Sequence, residues 1–454
     1  MTSAYLLERA WVDEAVHDDV LVEIEDGRFT SVTPRWHSSR FDGAATPSER
    51  SDPRLTGDRA TRLTGLTLPG FANTHSHAFH RALRGRTQRE RGTFWTWREQ
   101  MYAVAERLDP DSYFALARAT YREMVAAGMT AVGEFHYLHH QPDGTPYADA
   151  NAMSRALVAA AQEAGIRLTL LDTCYLSAGF GKPPEGVQRR FSDGDVDRWV
   201  ERVSTMAGTA GVRLGAAIHS VRAVPAEAMP TIADRTTGRP LHVHVSEQVA
   251  ENRDCVAAYV RTPTELLADH DVLGPLTTAV HATHLTEDDI AHLARTHTYA
   301  GFCPTTERDL GDGVGPSTRL RGAGVRLTLG SDSHAVIDPF EEMRALETDE
   351  RLVTQERGHW SAAELIDAGT VHGHASLGWD DAGAIAVGRR ADLVTLDSTS
   401  PRTAGTGADA HTAVFAATAA DVTQVMVDGR VVVRRGDGEQ LGRELDEAIG
   451  RVWG

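Results

Sequence analysis

Eight short apolar runs dominate the sequence between residues 66 and 333. The runs read LTLPGFANTHSH, MTAVGEFHYL, RLTLLDTCYL, VRLGAAIHSV, LHVHVSE, TTAVHATHL, TYAGFCPTT and VRLTLGSDS. Strands that alternate with helices build parallel sheets, and eight such strands close a (β/α)₈ barrel of about 250 residues. The sequence therefore predicts an α/β protein whose barrel occupies residues 66–383.

Helical patterns separate many of these runs and support the alternation. The stretches SYFALARATYREMVAAG and NAMSRALVAAAQEAG place apolar residues at helical spacing and end at glycine. TEDDIAHLART begins with a threonine cap and acids in its first turn. DPFEEMRALETDE and SAAELIDAGTVHGHASLG predict further helices after the last run.

The two ends of the chain have a different pattern, typical of strands and turns. YLLERAWV and DVLVEIEDGRFTSV lie near the N-terminus, and GAIAVGRRADLVTLD and VTQVMVDGRVVVRRG near the C-terminus, with Asp-Gly turns. Residues 1–65 and 384–454 are therefore predicted to pair into one small β domain. The polar stretch 36–60 is predicted to be a loop.

The charge balance and the apolar content exclude several kinds of partner. Asp and Glu number 64 against 46 Lys and Arg, so sequence-independent nucleic-acid binding is disfavoured. No stretch approaches the roughly 18 apolar residues of a membrane span, and the N-terminus lacks a signal-peptide pattern. The three cysteines are far apart and odd in number, which argues against a disulfide framework. We expect a cytoplasmic protein without nucleic-acid or membrane partners.

Histidines and acids fall where four of the predicted strands end. Side chains two apart on a strand point the same way, and the active sites of barrels lie at the carboxyl ends of their strands. Imidazole and carboxylate suit Zn²⁺, Fe²⁺ or Mn²⁺. Each motif alone has an ordinary structural explanation, but their conjunction predicts a metal centre. The residues are His75, His77, His244, Glu247, His281 and Asp332.

Other candidate residues are assigned structural roles. His242 precedes the end of its strand and is expected deeper in the barrel. His136, His139 and His140 could suggest a second metal, but a surface or structural role is favoured. The stretch 302–315 could be a lid or an ordinary exposed loop. Cys303 is expected to be buried and inert.

Taken together, PGFANTHSH, HVHVSE, a histidine on the sixth strand and GSDSH resemble the amidohydrolase superfamily, which hydrolyses C–N bonds in a metal-bearing barrel. The resemblance covers nearly the whole chain. The stretches HSHAFHRALRG, FWTWREQMY, VGEFHYLHH, HSVRAV, HVHVSEQ, HATHL, CPTTERDLGDG and GSDSH are more specific. They resemble the deiminases of this superfamily that convert N-formimino-L-glutamate to N-formyl-L-glutamate and ammonia in histidine degradation.

This resemblance implies one divalent metal, with Zn²⁺ favoured, and a metal-activated water that attacks the formimino carbon. The implied ligands are His75, His77, His244 and Asp332. Glu247 would carry protons, and His281 would orient the water and, with Asp332, receive its proton. The resemblance is also compatible with a homodimer.

The resemblance further assigns residues to the dicarboxylate substrate. Arg222, Arg98 and Tyr137 would bind carboxylates, and His219 would face the formimino group. Arginine suits this role because it stays charged and binds a carboxylate bidentately. His80 is a further candidate for substrate binding, but it departs from the pattern, since glutamine is common in the family at this position. The departure puts substrate preference and pH optimum in question.

Two other functions remain open at this stage. A deaminase or hydrolase of a ring substrate such as guanine, cytosine or a triazine would share the metal centre and Glu247. It would not need Arg98 and Arg222 in the pocket. A catalytically inactive barrel that serves as a binding subunit would be expected to lack a ligand or the glutamate, and none is missing from the sequence.

Overall fold

The computed structural model describes residues 2–34, 60–89, 92 and 94–454. Within them the strands β1 to β15 span Ser3–Val12, Ala15–Glu25, Arg28–Pro34, Thr61–Pro69, Phe71–Ser76, Met129–His136, Arg167–Cys174, Val212–Ser220, Leu241–Val245, Thr277–His281, Tyr299–Phe302, Leu327–Leu329, Leu393–Leu396, Val422–Val427 and Arg430–Arg434. The predicted loop 36–60 falls almost entirely outside the described residues.

The helices of the same residues are numbered α1 to α15. They span Phe94–Arg107, Pro110–Ala126, Ala152–Ala164, Val196–Ser204, Met229–Arg235, Val249–Tyr259, Pro263–Asp269, Glu287–Thr296, Pro304–Leu310, Ser317–Gly322, Pro339–Thr354, Ala362–Gly369, Val371–Ser376, Ala410–Phe415 and Gly438–Trp453. The predicted threonine cap of α8 is confirmed, because Thr286 accepts the backbone N–H of Asp289. None of these helices has the length and apolar content needed to cross a membrane.

Strands β5 to β12 form one parallel sheet in chain order, which confirms the eight predicted runs. The sheet closes between its first and last strands. A parallel bridge joins Ser76 to Asp332, and the Asp332 N–H donates to the His75 carbonyl at 2.9 Å. The closed barrel brings the carboxyl ends of all eight strands to one mouth, as the fold requires.

The small sheet contains strands from both ends of the chain. Its order is β15-β14-β13-β4-β1-β2-β3, with β13 antiparallel to β4 and β1 parallel to it. Leu7, Val20, Phe29 and Leu393 lie in its separate apolar core. This arrangement confirms the composite β domain predicted from the two terminal segments.

The first predicted run divides between the two sheets. Residues up to Pro69 belong to β4 of the small sheet, and Phe71 begins the barrel. The chain turns at Gly70, where a Cβ atom would lie only 2.4 Å from Thr130 side-chain atoms. The apolar run continues through this turn because both strands are buried, so hydrophobicity alone could not locate it.

The C-terminal helix α15 was not predicted from the strand-like character of the last 70 residues. Leu445, Ala448 and Val452 are its buried residues, at helical spacing. Trp453 donates its indole N–H to the Ala82 carbonyl at 2.9 Å. The helix thereby ties the end of the chain to the segment that follows the first barrel strand.

Candidate metal centre and active site

The predicted metal ligands meet at the mouth of the barrel. His75 lies on β5, His77 directly follows that strand, His244 lies on β9 and Asp332 follows β12. His75 Nε2 is 3.0 Å from His244 Nε2 and 3.3 Å from Asp332 Oδ1. His77 Nε2 is also 3.3 Å from that oxygen. All four side chains are buried.

The hydrogen bonds of two of these histidines show that the cluster fits a divalent metal ion. His77 Nδ1 lies 2.8 Å from the Phe135 carbonyl, and His244 Nδ1 lies 2.8 Å from the His219 carbonyl. A carbonyl only accepts, so each Nδ1 carries the proton and each Nε2 presents a lone pair. Lone pairs and a carboxylate that converge in a buried space repel one another unless a cation lies between them. The donor set of three imidazoles and one carboxylate suits zinc and related ions.

His281 ends strand β10 beside the metal centre. Its Nε2 lies 4.0 Å from Asp332 Oδ2, and its Nδ1 lies 3.4 Å from Glu307 Oε1. Burial alone would lower the pKa of His281, but the carboxylates of Glu247, Glu307 and Asp332 outweigh burial and raise the pKa to about 10. His281 is therefore surrounded by negative charge, and its ring is oriented by the contact of Nδ1 with Glu307.

The backbone at the strand ends is held in the left-handed region. The φ angles of Ser246, His281 and Asp332 are +53°, +68° and +38°, although none is glycine. Such conformations persist only where the surrounding structure enforces them, and they concentrate at functional sites. Here they turn the chain directly at the candidate catalytic and ligand residues.

A cavity of about 770 Å³, including its open mouth, adjoins the metal centre. Glu247, His281 and Asp332 contribute to its wall, so the predicted proton carrier faces the same space as the ligands. Every residue predicted to bind substrate also lines it. These residues are His80, Arg98, Tyr137, His219 and Arg222.

The two predicted arginines are held differently. Arg222 Nε lies 3.4 Å from Glu251 Oε1, a carboxylate that is itself buried. The Arg98 guanidinium carbon lies 5.5 Å from the centroid of the Tyr102 ring. Both arginines therefore contact protein groups and still present surface to the cavity, where a substrate anion could reach them.

His80 is the residue expected from the sequence to depart from the family pattern. Its Nε2 lies 2.9 Å from the Tyr137 hydroxyl, and its ring packs on His77 with centroids 4.6 Å apart. Burial and the neighbouring His77 hold the pKa of His80 well below its ordinary value. His80 and Tyr137 therefore form a neutral hydrogen-bonded pair at the edge of the metal centre.

The model of the family described as "Amidohydrolase family" matches residues 66–432. The chain belongs to this amidohydrolase family. Formimidoylglutamate deiminase of Pseudomonas aeruginosa is 41% identical over 409 residues, which cover 86% of this chain and 89% of that protein. The chain is thus a hydrolase that acts on a C–N bond, and its family is metal-dependent.

Other relatives show how widely the family's fold is shared. 5'-Deoxyadenosine deaminase of Methanothermobacter thermautotrophicus is 29% identical and covers 85% of this chain and 86% of its own. A crystal structure of an amidohydrolase from Brucella melitensis is 32% identical, has a TM-score of 0.89 and covers both chains completely. An adenosine deaminase from Xanthomonas campestris with bound zinc is 22% identical, with a TM-score of 0.80 over 99% of this chain and 98% of its own, and shares the fold.

The three histidines at and after the end of β6 that could have suggested a second metal are all buried, so the structural role, and not the surface one, fits them. His139 Nε2 lies 3.8 Å from Asp172 Oδ1, and His140 Nε2 lies 3.1 Å from Asp193 Oδ1. Arg202 binds both carboxylates at 2.8–2.9 Å. Because Arg202 already supplies the positive charge, these histidines belong to a structural network in this amidohydrolase.

The stretch 302–315 is a short helix followed by a loop. Helix α9 spans Pro304–Leu310, and Leu310 lines the cavity. The loop that follows is anchored, since the Asp312 carbonyl lies 2.8 Å from His284 Nε2. His284 therefore holds this loop and does not join the metal centre. Cys303 is buried as expected, and burial raises the pKa of its thiol well above the ordinary value.

Sequence reasoning missed several residues of the site. Glu307 contacts His281 from α9, and Tyr102, Tyr175 and Gln188 line or border the cavity. Glu307 stands in CPTTERDL, but the sequence predicts no role for this glutamate. Tyr102 ends FWTWREQMY and Tyr175 lies in RLTLLDTCYL, yet neither stretch indicates that its tyrosine meets Gln188, and only the fold brings these residues together. His242 is buried and is not among the residues that line this cavity, as expected.

Proposed function

We propose that the chain hydrolyses N-formimino-L-glutamate to N-formyl-L-glutamate and ammonia, as a step of histidine degradation in the cytoplasm, with one Zn²⁺ ion. The observation that carries the proposal is the position of Arg98 and Arg222. Both line the cavity that also contains Glu247 and Asp332. Two cations beside the reacting centre match a substrate with two carboxylates, and the 41% identical relative is named for this reaction.

The metal would be held by His75, His77, His244 and Asp332. When bound there, it supplies a Lewis acid that lowers the pKa of a coordinated water towards about 7. Asp332 would accept the proton of a water held there, and His281, whose raised pKa keeps its ring protonated, would orient that water. Their geometry suits this task, because His281 Nε2 and Asp332 Oδ2 lie 4.0 Å apart and both face the cavity.

Glu247 moves protons during the reaction. The water oxygen would bond to the formimino carbon as the C=N double bond becomes a single bond. The added hydroxyl would then lose its proton and become the carbonyl as that C–N bond breaks, so that both water protons end on the terminal nitrogen. Glu247 delivers the proton that this nitrogen needs in order to leave as ammonia. The carboxylate is largely buried, with 8% of its surface exposed, so few water molecules compete for that proton.

Carboxylate recognition is assigned to Arg222, Arg98 and Tyr137, and His219 faces the formimino end. The Tyr137 hydroxyl is fixed by His80, and burial raises its pKa well above the ordinary value. It therefore stays protonated as a neutral hydrogen-bond donor. The free, buried cysteines fit a reducing compartment, which supports the cytoplasmic location.

The decisive experiment is ammonia release from N-formimino-L-glutamate by zinc-loaded enzyme, with guanine, cytosine and 5'-deoxyadenosine in parallel. We expect release from the first substrate alone. Glu247→Gln should lose about 10²- to 10⁴-fold in kcat with the metal retained, and Arg222→Ala should mainly raise KM. Activity on a ring substrate alone would overturn the proposal and show that the arginines were misinterpreted.

A further inference from the structure

Two tyrosines in the cavity wall share one hydrogen-bond partner. Tyr102 lies on α1, and Tyr175 directly follows β7. Gln188 Nε2 lies 3.1 Å from the Tyr102 hydroxyl and 3.0 Å from the Tyr175 hydroxyl. The three side chains come from separate segments of the chain, and the fold joins them at one place beside the cavity.

A backbone contact fixes the orientation of the Gln188 amide. The Glu185 N–H donates to Gln188 Oε1 at 3.2 Å. The amide oxygen is therefore turned towards the backbone, and the NH₂ group faces the tyrosines. Since an NH₂ group only donates, both tyrosine hydroxyl oxygens must act as acceptors towards Gln188.

Each hydroxyl therefore keeps its own hydrogen for another partner. Among the described residues, Gln188 is the one hydrogen-bond partner of both hydroxyl oxygens, and both tyrosines line the cavity. Burial raises the pKa of Tyr175, although Arg222 and Arg98 act in the opposite direction, so the hydroxyl stays protonated. The same finding places Tyr175 within electrostatic range of both arginines.

We infer that Tyr102 and Tyr175 are further carboxylate-binding residues and that Gln188 is the positioning residue that directs their hydroxyl hydrogens into the cavity. The inference rests on the proposed function, because a dicarboxylate is the ligand that needs these donors. A carboxylate offers about four acceptor positions, more than one arginine fills. Two neutral donors beside Arg98 and Arg222 complete its coordination without adding charge.

The first test replaces each hydroxyl without changing the ring. Tyr175→Phe and Tyr102→Phe should each raise KM for N-formimino-L-glutamate about tenfold and leave kcat within about twofold, since a hydrogen bond to a charged group is lost. Tyr5→Phe, in strand β1 of the small sheet, is the matched control and should leave both constants unchanged. Normal KM values in both cavity variants would overturn the inference.

Truncated substrates identify the group that is recognised. N-formimino-4-aminobutyrate lacks the α-carboxylate, and N-formimino-L-2-aminobutyrate lacks the side-chain carboxylate. The Tyr175→Phe effect on KM should disappear for the analogue without the contacted carboxylate and persist for the other. Equal effects on both analogues would mean that the hydroxyl does not bind a carboxylate, which overturns the inference.

Gln188→Glu tests the positioning role. The new carboxylate oxygen accepts the hydroxyl hydrogens and turns them away from the cavity, so KM should rise by about tenfold or more. In this background Tyr175→Phe should have no further effect. A second tenfold rise would show that Tyr175 donates independently of Gln188.

The same measurements separate this inference from the proposed function. A wild-type enzyme that releases no ammonia from N-formimino-L-glutamate refutes the proposed function and the inference with it. A wild-type enzyme that does release ammonia, with unaffected tyrosine variants, refutes the inference alone.

Discussion

The barrel mouth and the outer face of strand β7 each bury a cluster of histidine and aspartate side chains, but their positive charge comes from different sources. At the mouth, the Nε2 lone pairs of His77 and His244 converge on Asp332, with no arginine or lysine among the four candidate ligands. On the outer face, Arg202 binds Asp172 and Asp193 through four contacts of 2.8–2.9 Å. The mouth therefore fits a metal ion, whereas Arg202 already neutralises the carboxylates of the outer cluster.

The difference shows that ligand-type residues close together do not by themselves make a metal site. His136, His139 and Asp172 also place their ligand atoms within 4.8 Å of one another. Asp172, however, already accepts from Arg202 and from the Trp199 indole at 3.2 Å. A metal would have to displace donors that are already in place. The distances between ligand atoms do not distinguish the two clusters. The hydrogen bonds that each carboxylate already accepts do distinguish them.

The largest expected effect comes from removing a candidate metal ligand at the barrel mouth. Asp332→Ala removes a metal ligand and a proton acceptor, so kcat should fall by about 10⁴-fold or more. Bound zinc, measured by elemental analysis, should fall from about one per chain to nearly none. Asp172→Ala is the matched change in the outer cluster and should leave the zinc content unchanged. Loss of zinc in that variant instead would reverse the assignment of the two clusters.

The second effect is the loss of stability expected when the arginine of the outer cluster is replaced. Arg202→Met leaves Asp172 and Asp193 buried without their cation, so the free energy of unfolding should fall by about 3–5 kcal/mol in urea titrations. The control Arg198→Met removes an exposed arginine from the same helix, and the change should be less than about 0.5 kcal/mol. Zinc content of the folded Arg202 variant should match that of the wild type. A drop would mean that the outer cluster supports metal binding.

The third effect tests the role of Glu307 at the barrel mouth. Glu307→Gln keeps the shape of the side chain but weakens its hold on His281 Nδ1, which lies 3.4 Å away. We expect kcat to fall by about 10- to 100-fold with KM and zinc content unchanged, as for other groups that orient catalytic histidines. Glu341→Gln, on the half-exposed start of α11, serves as the control. A changed KM with normal kcat would instead place Glu307 in substrate binding.

The smallest effect is the pH dependence of the outer cluster. Burial alone would raise the pKa of Asp172, but Arg202 outweighs burial and holds the pKa below its ordinary value. Its stabilising contribution is therefore present above about pH 4 and is lost as the pH falls through the lower folded pKa. In Arg202→Met, burial raises the pKa, so the carboxylates destabilise the fold above about pH 4.

The stability gap between wild type and Arg202→Met should therefore be largest near neutral pH. Between pH 7 and pH 4 it should narrow by about 1–2 kcal/mol in denaturant titrations at each pH. A gap that stays constant over this range would mean that Arg202 stabilises the cluster mainly by packing.

The barrel and the composite β domain could be predicted from the sequence, and so could the candidate ligands that the fold brings together at the mouth. The eight runs and their helices have local periods that depend on the buried face of each element. His75, His77, His244 and Asp332 could be found because each ends a recognisable strand, and all such ends meet at one mouth. Helix α15 could not be predicted because its apolar positions follow a strand-like stretch, and the helix finds its packing partner, α2, only in the folded protein.

The tertiary structure alone decided the remaining features. The division of the first run at Gly70, the contact of Glu307 with His281 and the Tyr102–Gln188–Tyr175 group all join segments that are distant in the chain. The hydrophobic pattern of one segment does not indicate which side chains of distant segments it will contact. The sequence determined which residues could bind a metal, and the packing of Arg202 against its two carboxylates determined which cluster has no need of one.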